Sequence, residues 1–221
     1  MISKYLKSKN IISNIPPTIN QETLCKDSGI FYNLKISNQT SSYYYYSGLF
    51  NNYELEKIVA ICKKLPQVQG VLGNNNLNTK VRESKVSWVP INDQTLWLYQ
   101  KLTDCILNVN ENFFEYDLTK IEKLQFTTYY GNNKSFYSPH LDSNFDDNIE
   151  DRKLTFVLQL SNPDDYDGGE LRLYTGKDPT SVNKEKGLLT FFPSHTLHEC
   201  TPVTSGIRYS LVGWVYGPKL K

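Results

Sequence analysis

Histidine is scarce in this 221-residue chain: there are three, His140, His195 and His198, all in the second half. Charge imbalance is missing too. Lys and Arg number 24 against 23 Asp and Glu, a formal net charge of +1. That leaves no electrostatic footprint for nucleic acid or an anionic membrane. No apolar run approaches the roughly 20 residues of a spanning helix. The stretch from Met1 to Lys7 lacks the apolar core of a secretion signal. The four cysteines, Cys25, Cys62, Cys105 and Cys200, form no CxxC pair, which speaks against a zinc site and for free thiols in a reducing compartment. These absences predict a cytoplasmic protein that binds neither nucleic acid nor membrane; a monomer or weak homodimer is the expectation for assembly, on which the residues themselves are silent. There is no internal repeat, and the length suits one domain with a full core.

What is present falls into three parts. Residues 1–43 are polar, rich in Asn, Ser and Lys, and interrupted by Pro16-Pro17; they predict a partly ordered arm before a domain spanning 44–221. The run Tyr43 to Tyr46 is strand-like and opens that domain, in a sheet-edge or core role. A helix follows, capped at Asn51 or Asn52, with Leu55, Ile58, Val59 and Cys62 on one face and an end before Pro66. Gly70 to Asn78 reads as a turn, and Val81 to Val89 as one strand containing Trp88. A second helix is predicted from an Asp93 cap, its core stripe running Leu98, Leu102, Cys105/Ile106, Val109 and Phe113. From Ile121 onward short strand patterns alternate with turn signals such as Gly131-Asn132-Asn133, Asp167-Gly168-Gly169 and Ser205-Gly206. Strands without intervening helices indicate an antiparallel sandwich. The expected fold is mainly β with flanking helices (α+β), a double-stranded β-helix or jelly roll supported by the N-terminal helices.

The chemistry concentrates on His140 and Asp142. At i and i+2 on a strand they face the same way. A histidine nitrogen beside a carboxylate makes two corners of a 2-His-1-carboxylate triad, which leaves positions open on ferrous iron. His195 and His198 are both available as the third corner; His198 sits among strand-like residues, His195 directly after the Pro193-Ser194 turn. Ten residues past His198 lies Arg208, a fixed guanidinium suited to bidentate capture of a carboxylate. A metal with open positions and a carboxylate clamp together suit a 2-oxo acid.

In order and spacing, His140-Leu141-Asp142, Arg152-Lys153-Leu154-Thr155, Asp167-Gly168-Gly169-Glu170-Leu171, Phe191-Phe192-Pro193-Ser194, His198, Arg208 and Trp214 resemble a known family. It is the Fe(II)- and 2-oxoglutarate-dependent dioxygenases of the prolyl 4-hydroxylase type, nearest the PKHD-type hydroxylase branch. The resemblance runs from about Tyr44 to Gly217. It implies that His140, Asp142 and His198 bind iron and are catalytic, and that Arg208 pairs with the distal carboxylate of 2-oxoglutarate. Tyr129 would hydrogen-bond the same carboxylate, with Tyr130 as the alternative because the segment before His140 is longer than usual. Trp214 would line the co-substrate pocket, and Arg152 matches an arginine near the peptide substrate. Leu171 stands where some members have a threonine. The cofactors implied are Fe(II), 2-oxoglutarate and O2, with ascorbate as reductant. The function implied is hydroxylation of a prolyl residue in a peptide or protein, giving succinate and CO2. A lysyl residue or small metabolite is the second substrate reading, and a non-catalytic metal-binding jelly roll the reading from another class.

Plainer roles compete for several of these residues. Trp88 and Trp97 suit packing or a groove wall, although Arg82 and Trp88 share a strand that borders the expected substrate groove. Arg152 has Asp146, Asp147 and Asp151 nearby for an exposed ion pair of little worth. The acidic run 146–151 reads as a solvated loop past the metal. Cys200, two residues after His198, is a ligand only on paper, since the triad is complete without it.

Overall fold

In the computed structural model the described residues are 42–71, 78–143 and 150–219. The expected arm lies, up to residue 41, outside them, as do most of the Gly70–Asn78 turn and the acidic run before Glu150. Strand β1 (Tyr44–Tyr46) is followed by helix α1 (Asn52–Cys62), β2 (Val68–Gln69), β3 (Arg82–Glu83), β4 (Lys85–Trp88) and helix α2 (Leu96–Val109). The strand-rich half then runs β5 (Lys120–Ile121), β6 (Gln125–Tyr130), β7 (Phe136–His140), β8 (Glu150–Gln159) and β9 (Tyr166–Gly168). It closes with β10 (Leu171–Leu173), β11 (Thr180–Ser181), β12 (Leu189–Pro193), β13 (His198–Cys200) and β14 (Val203–Pro218).

These strands form two facing antiparallel sheets. The larger has the order β1-β12-β8-β14-β6-β4-β2, with β5 and β9 also paired to β14. The smaller has the order β11-β10-β13-β7-β3. This is the expected jelly roll with helices on one side. Both faces of the large sheet are covered, and alternation sorts its side chains. Phe156, Leu158, Phe191, Leu211 and Phe126 turn outward onto Leu55, Ile58, Leu102 and Ile106 of the helices. Each large side chain buried this way contributes about 1.5–3 kcal/mol. The alternate residues, among them Gln125, Tyr129, Val157, Arg208 and Trp214, turn toward the small sheet and line a cavity. Gly213 lies on the crowded face: a Cβ there would meet Phe156 Cζ at 2.2 Å.

Helix α1 has the expected face and cap. Asn51 Oδ1 accepts from the Glu54 N–H at 2.9 Å, and Glu54 Oε2 accepts from the Asn51 N–H at 2.9 Å, a reciprocal capping box. Helix α2 departs from expectation at both ends. Asn92, not Asp93, organises the preceding turn: its side chain accepts from Gln94 N–H and its carbonyl from Thr95 N–H, each at 3.0 Å. The helix therefore starts only at Leu96. At the other end a wider π turn spans Asn110–Phe114 and shifts the face by a residue. Phe114 is buried in place of Phe113, which instead stacks on Tyr44 with centroids 3.7 Å apart.

The expected single strand Val81–Val89 is two. Arg82 and Glu83 pair with β7 in the small sheet, while Lys85 to Trp88 pair with β6 in the large one. The chain passes between sheets at Ser84, whose carbonyl accepts from Gly70 N–H at 2.8 Å. Among the described residues no helix is long and apolar enough to cross a membrane.

Asn51→Ala removes one half of the capping box and leaves the rest of α1 intact. The expected result is a loss of about 1 kcal/mol in urea-measured stability with an unchanged m-value. A loss below about 0.3 kcal/mol would show that packing alone fixes the start of α1.

Candidate metal centre and cavity

Two short strands bring the histidines together. In the pairing of β7 with β13, His198 lies directly opposite His140, and Cys200 opposite Tyr137. Ser138 and Pro139 therefore face Glu199 alone, a bulge that suits a proline with no N–H to give the ladder. The imidazole centroids are 4.1 Å apart. Asp142 is not on the strand as expected, because β7 ends at His140. The N–H groups of Asp142 and Ser143 instead both donate to the Ser194 carbonyl at 3.0 Å. The turn after β12 thus holds the carboxylate against the histidines by its backbone.

The donor atoms of His140, Asp142 and His198 all lie within 4.8 Å of one another. His140 Nε2 is 3.7 Å from Asp142 Oδ1, and His198 Nε2 is 3.4 Å from Asp142 Oδ2. Each ring is fixed by the carbonyl two residues upstream: His140 Nδ1 lies 2.8 Å from Ser138 O and His198 Nδ1 2.9 Å from Thr196 O. A carbonyl only accepts, so Nδ1 carries the proton in both rings and each Nε2 lone pair faces Asp142. Burial pushes the His140 pKa down to about 3, helped by the neighbouring His198, so the ring is neutral at ordinary pH. Burial pulls the Asp142 carboxyl upward, but His198 and His140 outweigh it and hold the group below its usual range. Trp214 acts in the same downward direction, although its buried indole N–H completes no hydrogen bond. Two imidazole nitrogens and one carboxylate are the donor set that suits ferrous iron.

Asp142 has a further support that sequence reading gave no role. Thr155 Oγ1 donates to Asp142 Oδ2 at 2.9 Å and lies 3.0 Å from Ser194 Oγ. Tyr137 covers His140 face to face, centroids 3.5 Å apart. His195 is exposed and outside the cluster. Cys200 is also outside it; burial raises its thiol pKa, against any thiolate role.

The cavity beside the cluster holds about 520 Å³. Arg208 is 4% exposed and stands on its wall, opposite Tyr129 in the β14–β6 register. Its guanidinium lies 5.4 Å from the Tyr129 ring, with Nη1 3.4 Å from Ser210 Oγ. Tyr129 is the tyrosine that turns into the cavity; the Tyr130 hydroxyl donates instead to Gln67 Oε1 at 3.4 Å. Gly169 explains part of the Asp167-Gly168-Gly169 motif, since a Cβ there would meet Arg208 Cδ at 3.0 Å. Tyr166, which carried no sequence signal, sits behind the arginine and accepts from Gln159 Nε2 at 2.8 Å. Arg152 pairs with Glu122, Nη2 to Oε2 at 2.7 Å; of the aspartates expected, Asp146 and Asp147 lie outside the described residues, and Asp151 Oδ1 accepts from the Arg152 backbone N–H. It also covers Trp214 at 4.1 Å, and Trp214 faces Trp88, which is 40% exposed at the cavity wall. Trp97 lies away from the cavity, against Phe50.

Known proteins match the same region. Residues 124–216, which contain the whole cluster and Arg208, match the family model described as the 2OG-Fe(II) oxygenase superfamily. A PKHD-type hydroxylase of Synechococcus sp. (strain JA-2-3B'a(2-13)) is 45% identical over 62 residues, 28% of this chain and 28% of that relative. The chain thus aligns with less than a third of that protein's length. A prolyl hydroxylase from Trichoplax adhaerens, in complex with a hypoxia inducible factor oxygen degradation domain peptide fragment, has the same fold. Its TM-score is 0.69 at 19% identity, covering 80% of this chain and 84% of that one. A Pseudomonas putida prolyl-4-hydroxylase gives 0.66 at 21% identity, covering 80% and 93%. The donor set within this matched segment fits the ferrous iron in that family's description. The resemblance to PKHD-type hydroxylases read from the motifs is present in these matches.

Thr155→Val keeps shape and removes the hydrogen bond to Asp142. Manganese or ferrous affinity, measured by anaerobic calorimetry, should fall about tenfold with the fold retained. Unaltered affinity would mean that the Ser194 carbonyl alone orients the carboxylate.

Proposed function

We propose that residues 44–221 form an Fe(II)- and 2-oxoglutarate-dependent hydroxylase domain. The observation that carries this reading is the convergence of His140, Asp142 and His198 on one wall of a cavity whose other wall carries the buried Arg208. Iron and 2-oxoglutarate, when bound, supply O2 activation and oxygen insertion into a C–H bond, with succinate and CO2 released. The chain's own residues bind and orient. His140 and His198 are held with Nε2 toward Asp142 because their Nδ1 atoms are engaged with the Ser138 and Thr196 carbonyls. Arg208 offers a guanidinium to the distal carboxylate, with the Tyr129 hydroxyl beside it. Trp214 and the buried strands around it keep bulk water from the metal, which strengthens each charge contact inside.

The substrate in this reading is a peptide or protein, with a prolyl residue as target. Its support is the fold shared with the two prolyl hydroxylases and the partial match to PKHD-type relatives. Arg152 and Trp88, at the cavity wall beside Trp214, are the proposed peptide contacts. A cytoplasmic setting is part of the proposal: Cys62, Cys105 and Cys200 are free thiols, and a reducing compartment keeps iron ferrous.

Purified protein with ferrous iron should convert 2-oxoglutarate to succinate slowly alone and faster with a suitable peptide. His140→Ala and Asp142→Ala should each abolish this, and retention of full turnover by either would remove the metal assignment. Arg208→Ala should raise the 2-oxoglutarate requirement by at least about tenfold, the value of a charge-assisted hydrogen-bond pair. A superimposable co-substrate titration would take Arg208 out of the clamp.

A further inference from the structure

Three arginines line the cavity, and their company differs. Arg152 is matched by the Glu122 carboxylate. Arg208 is the proposed partner of the co-substrate. Arg82 is 6% exposed and, among the described residues, has no carboxylate within ion-pair distance. Its Nε donates to Ser84 Oγ at 2.9 Å and its Nη1 to the Val71 carbonyl at 3.1 Å. Those neutral acceptors fix the fork without offsetting its charge. The guanidinium lies 4.5 Å from the Tyr137 ring, and that ring covers the face of His140. A positive charge therefore stands two rings from the metal cluster.

A second observation comes from the neighbouring strand. Gln69 lines the same cavity and has a buried side-chain Nε2 with no hydrogen-bond partner. The Gln69–Val71 segment lies directly on the guanidinium: a Cβ at Gly70 would meet Arg82 Nε at 2.6 Å. An unbalanced cation and an unused donor on the lining of one cavity call for an acceptor-rich anion. The co-substrate does not provide it. Its two carboxylates offset Arg208 and the single net charge of ferrous iron with Asp142, and Arg82 remains.

Resting on the hydroxylase reading above, we infer that Arg82 and Gln69 form a subsite for a carboxylate of the primary substrate. Two sources share that chemistry: an acidic side chain next to the target residue, and a free C-terminal carboxylate on the target itself. The class of substrate is thus an acidic peptide segment or a peptide ending at the hydroxylated residue.

The test uses the full chain with manganese in place of iron, plus 2-oxoglutarate, under nitrogen. Calorimetry compares proline peptides carrying Asp or Glu beside proline with their Asn or Gln counterparts. It also compares peptides ending in proline as free acid and as amide. One acid of either pair should bind at least about tenfold more tightly than its neutral partner. Arg82→Met should bring that pair within about twofold, and Arg82→Lys should keep part of the preference. The 2-oxoglutarate affinity of Arg82→Met should match that of the unaltered protein. Equal binding of acid and neutral members in both pairs by the unaltered protein would overturn the subsite, whether or not the variants fold. So would a loss of 2-oxoglutarate affinity in Arg82→Met as large as that of Arg208→Ala. Absence of succinate from the aerobic iron enzyme would count against the hydroxylase reading alone, since these binding comparisons require no turnover.

Discussion

The site depends on the grip of the Ser194 carbonyl on two successive N–H groups, those of Asp142 and Ser143. Strand β7 stops at His140, and without that grip Asp142 would lie on an unpaired segment. The carboxylate would then be free to turn to water, which solvates it far better than a dry cavity. Ser194 is itself tied to β8 through its N–H on the Lys153 carbonyl and its hydroxyl near Thr155. The load passes from a residue beyond the strand end to an interior strand of the large sheet. The histidines need no such help, because pairing of β7 with β13 sets them opposite each other.

The rest of the cavity follows from alternation on that same sheet. Apolar residues facing the helices supply the burial that holds the domain together, and their neighbours one position along are left to build a wall. Arg208, Trp214 and Val157 are placed at the site by the parity of Leu211, Val215 and Phe156. A one-residue slip of β14 would put Arg208 under the helices as an unpaired charge. Core packing and the placing of Arg208 on the cavity wall are thus enforced by one register.

This division explains what could be read in the sequence. His140 and Asp142 were legible as a candidate pair because histidine is rare in this chain and their i, i+2 spacing is specific, while the choice of His198 over His195 also drew on the family resemblance. Arg208 was legible because a strand-borne arginine at a fixed distance from a ligand is unusual. Thr155, Ser194 and Tyr166 were not, since Ser, Thr and Tyr are ordinary strand and turn residues whose role appears only with a partner across the fold. The second helix was placed too early because Asn92 and Asp93 are equally good turn formers by composition. The passage between sheets at Ser84 was hidden because a strand that changes partners keeps its extended pattern throughout.

That passage has an evolutionary consequence. Seven consecutive positions, Arg82 to Trp88, reach both the wall next to the metal ligands and the aromatic rim beside Trp214. No metal ligand lies among them. A handful of adjacent codons can therefore reshape both walls of the cavity while the cluster of His140, Asp142 and His198 is inherited unaltered. Divergence among proteins built on this plan should concentrate there before it reaches the histidines.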